Sequence, residues 1–393
     1  MKLDSLTGLR FFAALGVVIG HGHEHFGSPL GIAHYFALGQ AVSLFFVLSG
    51  FVLTYNYNGP TFSVWNFWVA RIARIWPMFA FGVLLMLTIR AAGIGLRMTT
   101  ALGQPTIEYP TSDGLIRELL GVANLFDPSM WGYIVPGPIN PPDWTVSVEF
   151  FFYLLFPVIV AYPWGLVAAL LLWVVVTLVG VFLYATCGMG PLECYFQHAI
   201  YFANFPPFRL IEFLAGIYAA RLMMRRSQYR SAAYWIALEL VGVAASAFGA
   251  FIAPGLLRSG QLHPIMYSVV NSSSASLGFV LLIYACGHGR GPISKLLSLS
   301  WVRYGGEISY SLYILHYAVQ TMFVHLFGQA IDPIVRSLFY LATIAAAVLA
   351  YEAIEVPCRR WIRTWLTQGP MSSPSDVTQR PRVDYIRVSE RNH

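Results

Sequence analysis

Two ionisable side chains interrupt an otherwise apolar stretch near the start of the chain. Arg10 lies within Leu6-Thr7-Gly8-Leu9-Arg10-Phe11-Phe12-Ala13-Ala14, and His21 opens His21-Gly22-His23-Glu24-His25. They are 11 positions apart. On a helix, at about 100° per residue, that is about 20° past three full turns, so they share one face about 16 Å apart along the axis. A neutral imidazole can accept a hydroxyl proton near pH 7, and a guanidinium favours an anion beside it. A plainer account is a terminal His at a wet interface with an anchoring Arg. Further on, Trp144-x-x-Ser147-x-Glu149 opens a second apolar segment after Pro141-Pro142-Asp143, and Asp143 is the expected N-cap. Glu149 runs into Phe150-Phe151-Phe152. A carboxylate in that setting needs a partner, and the geometry allows a pair with His21. Otherwise the positive end of its own helix holds it.

Three further groups combine charge with helical spacing. In Arg71-Ile72-Ala73-Arg74-Ile75-Trp76-Pro77 the two guanidiniums fall at i, i+3. Such a pair suits a phosphate-rich ligand, or simply anchors a helix end at the membrane face. Arg209 and Glu212, in Pro206-Pro207-Phe208-Arg209-Leu210-Ile211-Glu212-Phe213, can satisfy one another at i, i+3. Tyr313 and His316 are i, i+3 neighbours in Ser309-Tyr310-Ser311-Leu312-Tyr313-Ile314-Leu315-His316. They either line a reaction path or act as polar glue between helices. His21 and His25 at i, i+4 could in principle hold a metal. No third ligand stands at a diagnostic spacing, so no metal is expected. No Gly-x-Ser-x-Gly elbow or phosphate-cradling glycine loop occurs.

The elements that must position these residues are membrane helices. The chain of 393 residues is 57% hydrophobic and only 11% charged, against about 25% charged in soluble domains. Apolar runs of roughly 20 residues, the length that crosses about 30 Å of hydrocarbon, recur along it. This predicts an all-α integral membrane protein of about ten transmembrane helices. Candidate spans are 6–22, 35–56, 75–94, 144–162, 165–186, 205–223, 231–252, 266–287, 304–327 and 334–356. Most of the 24 basic residues fall on one side: Lys2, Arg71, Arg74, the cluster Arg221, Arg225, Arg226 and Arg230, then Arg290, Lys295, Arg303 and the seven Arg after residue 358. By the positive-inside rule both termini are then cytoplasmic. Residues 95–143 read as an external stretch carrying an interfacial or re-entrant helix near Leu115, Ile116, Leu119, Leu120 and Ala123, followed by a loop over Trp131–Pro142. The domain reading is a transmembrane unit, 1–366, and a polar cytoplasmic tail, 367–393, expected to be disordered. The first segment reads as a retained helix rather than a signal peptide, because Arg10 interrupts it and no cleavage site follows. Cys187 and Cys194 share a short loop and could pair in an oxidising compartment. The net charge of +6 is concentrated in the tail and at helix ends, so nucleic acid is not an expected partner.

Taken in order, these motifs resemble the membrane-bound acyltransferase family 3 over residues 3 to about 360. Arg10 and His21 match its first-helix signature, where both are required for activity. Arg71, Arg74 and Pro77 match its Arg-x-x-Arg-x-x-Pro segment, and Trp144, Ser147 and Glu149 a similar Trp/Ser/Glu pattern. Arg209, Glu212 and Phe213, and the segment ending in Tyr313 and His316, also resemble family segments. The chain looks like a stand-alone type lacking a fused extracytoplasmic hydrolase-like domain. The resemblance implies O-acylation, with acetyl the expected group. The donor would be cytoplasmic acyl-coenzyme A (acetyl-coenzyme A), held by Arg71 and Arg74. The acceptor would be a sugar hydroxyl of an envelope or exported polysaccharide, or alternatively a small glycosylated molecule such as a macrolide. In that scheme His21 is the general base positioned by Glu149, or a covalent acyl carrier, and Arg10 lies along the donor route. Trp144, Ser147, Arg209, Glu212, Tyr313 and His316 line the acceptor site or pocket. The implied setting is multi-pass in a cell membrane, a bacterial inner membrane. A transporter or channel would carry similar intramembrane charges, but transporters often show related halves, and no internal repeat is apparent. The charge bias predicts that a fluorescent protein fused after residue 393 glows while a periplasmic phosphatase fused there stays inactive; the reverse result would invert the topology.

Overall fold

The computed structural model describes residues 3–57, 62–94, 112–121, 139–185, 204–225, 230–258, 270, 273–329 and 331–368, and within them every regular element is helical. Fifteen α-helices are formed among the described residues: α1 (Asp4–Phe26), α2 (Ile32–Tyr35), α3 (Ala41–Asn56), α4 (Val64–Ala91), α5 (Ser112–Leu119), α6 (Trp144–Ala161), α7 (Gly165–Ala185), α8 (Leu210–Arg225), α9 (Ala232–Arg258), α10 (Ser276–His288), α11 (Pro292–Leu297), α12 (Ser300–Glu307), α13 (Ser309–Phe327), α14 (Pro333–Ala350) and α15 (Val356–Gln368). Six segments among the described residues are long and apolar enough to cross a membrane: Asp4–Phe26, Leu38–Asn56, Val64–Ala91, Pro141–Ala161, Ala232–Ala253 and Pro333–Leu366. Gly165–Gly180 and Ser276–His288 are apolar but shorter. The two remaining expected spans fall on α8, of 16 residues, and on α13, of 19 residues and rich in polar side chains. Large apolar side chains such as Leu84, Leu178, Phe248, Leu341 and Leu349 point outward. A bundle whose solvent is lipid can afford this.

Three boundaries depart from the sequence reading. Helix α4 begins at Val64 rather than near residue 75, because Ser63 caps it by accepting the Asn66 N–H; Arg71 and Arg74 therefore lie inside the helix. The expected span 304–327 is divided at Ile308 between α12 and α13. Gly305 and Gly306, weak helix formers, precede the break, and the Ser309 hydroxyl donates to the Gly306 carbonyl (2.8 Å). The last span continues past Ala350 through a π-turn, Tyr351–Glu355, into α15. Pro357 has no N–H to return to the preceding turn, which favours that wider turn. Cys187, Cys194, Trp131, Arg226 and the tail beyond residue 368 lie outside the described residues.

The core is three joined clusters. One gathers α4, α6, α8 and α13 around Phe79, Phe152, Phe156, Phe213 and Ile314. A second gathers α1, α3, α8 and α10 around Leu9, Val47, Phe51 and Cys286. The third places Ala14, Val18 and Phe26 of α1 against Leu312 of α13 and Phe339 of α14. Helix α1 thus packs against α3, α12, α13 and α14, so its polar face is framed on several sides.

Small residues set these distances. At Gly50 a Cβ would collide with the Phe213 carbonyl, and at Gly216 with the Val47 carbonyl, so α3 and α8 meet backbone to backbone. Gly306 approaches the Thr7 carbonyl in the same way. Gly216→Ala should therefore destabilise the folded protein by about 1–3 kcal/mol, read as a lower melting temperature in detergent. An unchanged melt would show that the contact is not close.

Candidate active site

His21 lies in the last turns of α1, half-buried, against α13. Its Nδ1 is 2.8 Å from Nε2 of His316. His316 is fully buried, and its Nδ1 bonds the Tyr313 carbonyl at 2.5 Å. The Gln320 amide donates to the His21 backbone carbonyl at 3.2 Å, and the Tyr317 ring lies 5.0 Å from the His21 ring. Ring and backbone of His21 are thus both held by one neighbouring helix. The expected His21–Glu149 pair does not form. The bond from His21 goes to His316, and Glu149 accepts instead from the Tyr153 hydroxyl one turn along α6 (3.0 Å).

Glu149 belongs to a second group nearer the start of α1. It lies within electrostatic reach of Arg10, Arg71 and Arg74. Arg74 is ion-paired with Glu355, a wholly buried carboxylate of the π-turn. Glu355 also accepts from the Ser311 hydroxyl (2.7 Å) and faces Arg359 (3.6 Å). The guanidinium of Arg71 lies over the Tyr57 ring and that of Arg74 over Tyr310, 5.8 and 5.9 Å from the ring centres. Arg71 Nε is buried with no hydrogen-bond partner among the described residues. Among the described residues, four guanidiniums (Arg10, Arg71, Arg74, Arg359) here face two carboxylates (Glu149, Glu355). That surplus of positive charge in an apolar bundle suits an anionic ligand.

The remaining candidates divide. Arg209 and Glu212 form an ion pair (3.0 Å), both nearly inaccessible. Arg209 also donates to Ser43 (2.8 Å) and stacks against Phe46 and Trp144, while Glu212 accepts from Ser273 (2.8 Å) and Ser276 (3.2 Å). These bonds tie α3, α6, α8 and α10 together. Trp144 packs on Phe46 as well, and Ser147 is buried. The Tyr313 hydroxyl reaches the Pro142 carbonyl at 3.4 Å. Asp143 makes no N-cap bond; its carboxylate accepts from Asn140 (2.9 Å), whose amide also donates to the Ile314 carbonyl (3.2 Å). The segment 139–143 is thereby docked on α13 less than a turn before His316. No group of three or more His, Cys, Asp or Glu able to hold a metal occurs among the described residues.

The bundle thus holds an imidazole pair at one end of α1 and clustered guanidiniums towards the other. The model of an acyltransferase domain, the third acyltransferase family, matches residues 3–352. The chain belongs to this family. It is similar to acyltransferase MdmB of Streptomyces mycarofaciens, 31% identical over 391 residues, covering 92% of each chain. It is also similar to O-acetyltransferase OatA of Staphylococcus aureus, 24% identical over 381 residues, and to peptidoglycan O-acetyltransferase OatA of Listeria monocytogenes, 24% identical over 396 residues. Those matches cover 91% of this chain but 57% and 56% of the relatives, so the chain spans just over half the length of the OatA proteins. No solved structure matches it. The protein is an acyltransferase enzyme.

Two buried carboxylates among these elements escaped the sequence reading. Glu355 stands among apolar residues just before Pro357, where an intramembrane ion before a helix-breaking residue was a usable signal. Glu118 had none. Nearly inaccessible on α5, it accepts the backbone N–H groups of Ile139 (2.8 Å) and Asn140 (3.3 Å) and lies beside Asp143, while Arg90 donates to the Ile139 carbonyl (2.6 Å). It therefore ties α5 to the segment docked on α13. Burial pushes its carboxyl up to about 7, against the lowering effect of the two N–H donors and Arg90. A carboxyl raised on folding stabilises the fold while protonated. Its contribution is complete below the unfolded pKa of about 4.3 and is lost as pH rises through about 7. Wild-type protein should melt progressively lower as pH rises across that window, and Glu118→Gln should flatten the dependence. Parallel curves for the two proteins would contradict it.

Proposed function

We propose that this acyltransferase moves an acyl group, acetyl foremost, from acyl-coenzyme A to a sugar hydroxyl of an envelope or exported polysaccharide. The observation that carries the reading is the separation of two chemistries along α1. An imidazole anchored to α13 sits near one end, and Arg10, with Arg71 and Arg74, lies about 16 Å away along the axis. The arginines suit the phosphates of the donor, and the extended pantetheine arm then carries the thioester towards His21 along the face that Arg10 shares with it. The charge bias of the loops supports loading from the cytoplasm and an acceptor on the opposite side, with both termini cytoplasmic and about ten crossings of a bacterial cell membrane.

In the transfer, a lone pair of His21 takes the acceptor's hydroxyl proton as the oxygen attacks the thioester carbonyl. The new C–O bond forms, the C–S bond breaks, and the proton leaves on the coenzyme thiol. Positive charge from the arginines holds the phosphates of the donor, and of the coenzyme once its thiol has left, at the far end of this path. Glu149, bonded to Tyr153 and surrounded by arginines, orders the donor end rather than the imidazole. The name of the Listeria relative, a peptidoglycan O-acetyltransferase, supports a polysaccharide acceptor.

The experiment uses purified protein in proteoliposomes loaded with radiolabelled acetyl-coenzyme A, with cell-wall glycans or a glycosylated macrolide offered outside. Label should pass to glycan ester, and His21→Ala should lower the rate by about 100-fold or more. Transfer at the wild-type rate by His21→Ala would remove His21 from the mechanism. Labelling of the macrolide alone would reassign the acceptor.

A further inference from the structure

We infer that His316 is a positioning residue that determines which nitrogen of His21 is the base; this deepens the proposed function and rests on its assignment of His21. The geometry runs as a chain with one direction. A backbone carbonyl only accepts, so the 2.5 Å contact between the Tyr313 carbonyl and His316 Nδ1 puts a proton on that nitrogen. Neutral His316 then has its lone pair on Nε2. That atom lies 2.8 Å from His21 Nδ1, so Nδ1 of His21 is the donor. The lone pair of His21 is left on Nε2, on which no hydrogen bond falls among the described residues.

The ring geometry bears this out. The two rings are within 4° of parallel and their centres are 5.1 Å apart. A ring centre lies about 1.15 Å from its nitrogens, so two such distances plus the N···N contact account for the whole separation, and no sideways offset remains. The rings are therefore coplanar and joined edge to edge, with the bond in both lone-pair planes. A stacked pair would place the nitrogens above one another's faces and transmit no tautomer.

His316 itself has no freedom to reverse the chain. It is inaccessible, and the carbonyl it donates to belongs to the preceding turn of its own helix. Helix α13 also clamps the His21 backbone through Gln320, which orients the whole residue. The consequence for catalysis is differential. When His21 Nε2 takes the acceptor's proton the ring becomes cationic, and its Nδ1–H bond to His316 becomes charge-assisted and stronger. The gain appears as the transition state is approached, so it acts on kcat rather than on donor binding.

The test compares three variants in full-length, lipid-reconstituted protein, with melting temperature and acetyl-coenzyme A binding measured alongside. His316→Phe keeps a flat ring but offers no acceptor, which frees the His21 proton to sit on Nε2. It should lower kcat about 10- to 100-fold with donor KM within about twofold. His316→Gln reaches a similar position with an amide oxygen that can accept from Nδ1–H, and should restore about tenfold or more of that loss if the drop is large. A His316→Phe protein with wild-type kcat, or a well-folded His316→Gln protein no better than His316→Phe, overturns the inference. His21→Ala separates the two levels. If it is inactive while His316→Phe is fully active, only the positioning role fails; if His21→Ala is active, the assignment of the base itself fails.

Discussion

Inside an apolar bundle, water is not available to answer a charge, so each ionised or strongly polar side chain has to be met by a group from another helix. Most of the interhelical polar contacts follow from that constraint. Arg209 and Glu212 bridge α8 to α3 and α10. Glu239 of α9, wholly buried, accepts the Ile293 and Ser294 N–H groups and the Ser294 hydroxyl at the start of α11. Glu355 joins α4, α13 and α15 through Arg74, Ser311 and Arg359. Removing one partner of such a buried pair typically costs about 3–5 kcal/mol, since the other charge is stranded. These contacts define the order in which the helices stand.

Close backbone approach completes the frame. Gly50 and Gly216 bring α3 and α8 together, Gly8 leaves room for the end of α11 and for α12 against α1, and Gly306 lets α12 approach the α1 backbone at Thr7. Helix α1, held by α3, α12, α13 and α14, carries Arg10 and His21 on one framed element. A base has to be within hydrogen-bond reach of the proton it removes. In the proposed reading, the packing of α1 against α13 at His21 and His316 meets that demand without a loop.

The two ends of α1 also differ in how charge is balanced. Around Arg10 the guanidiniums outnumber the carboxylates, which suits an anionic ligand. Around His21 the bonding partners are uncharged: its ring meets a second imidazole, which in turn donates to a backbone carbonyl, and its own backbone carbonyl accepts from an amide. A carboxylate partner, as expected from the sequence, would also have fixed a tautomer and stabilised the imidazolium that forms. A neutral partner keeps the lone pair available, and strengthens its bond only when the proton arrives.

Much of this could be read from residues alone, because hydropathy and charge act locally. Membrane helices, the shared face of Arg10 and His21, and the i, i+3 pairs Arg71–Arg74 and Arg209–Glu212 follow from spacing along single segments, and the ordered motifs resemble the acyltransferase family whose model the chain matches. What spacing cannot say is which helix stands beside which. That His21 meets His316, 295 positions away, rather than Glu149, was decided by the packing of α1 against α13. So were the pairing of Arg74 with Glu355 and the role of Glu118, whose partners lie on other elements. Helical periodicity orders side chains around one axis, whereas contact between axes depends on glycine-sized gaps and on charges finding partners across them, and these exist only once the bundle has closed.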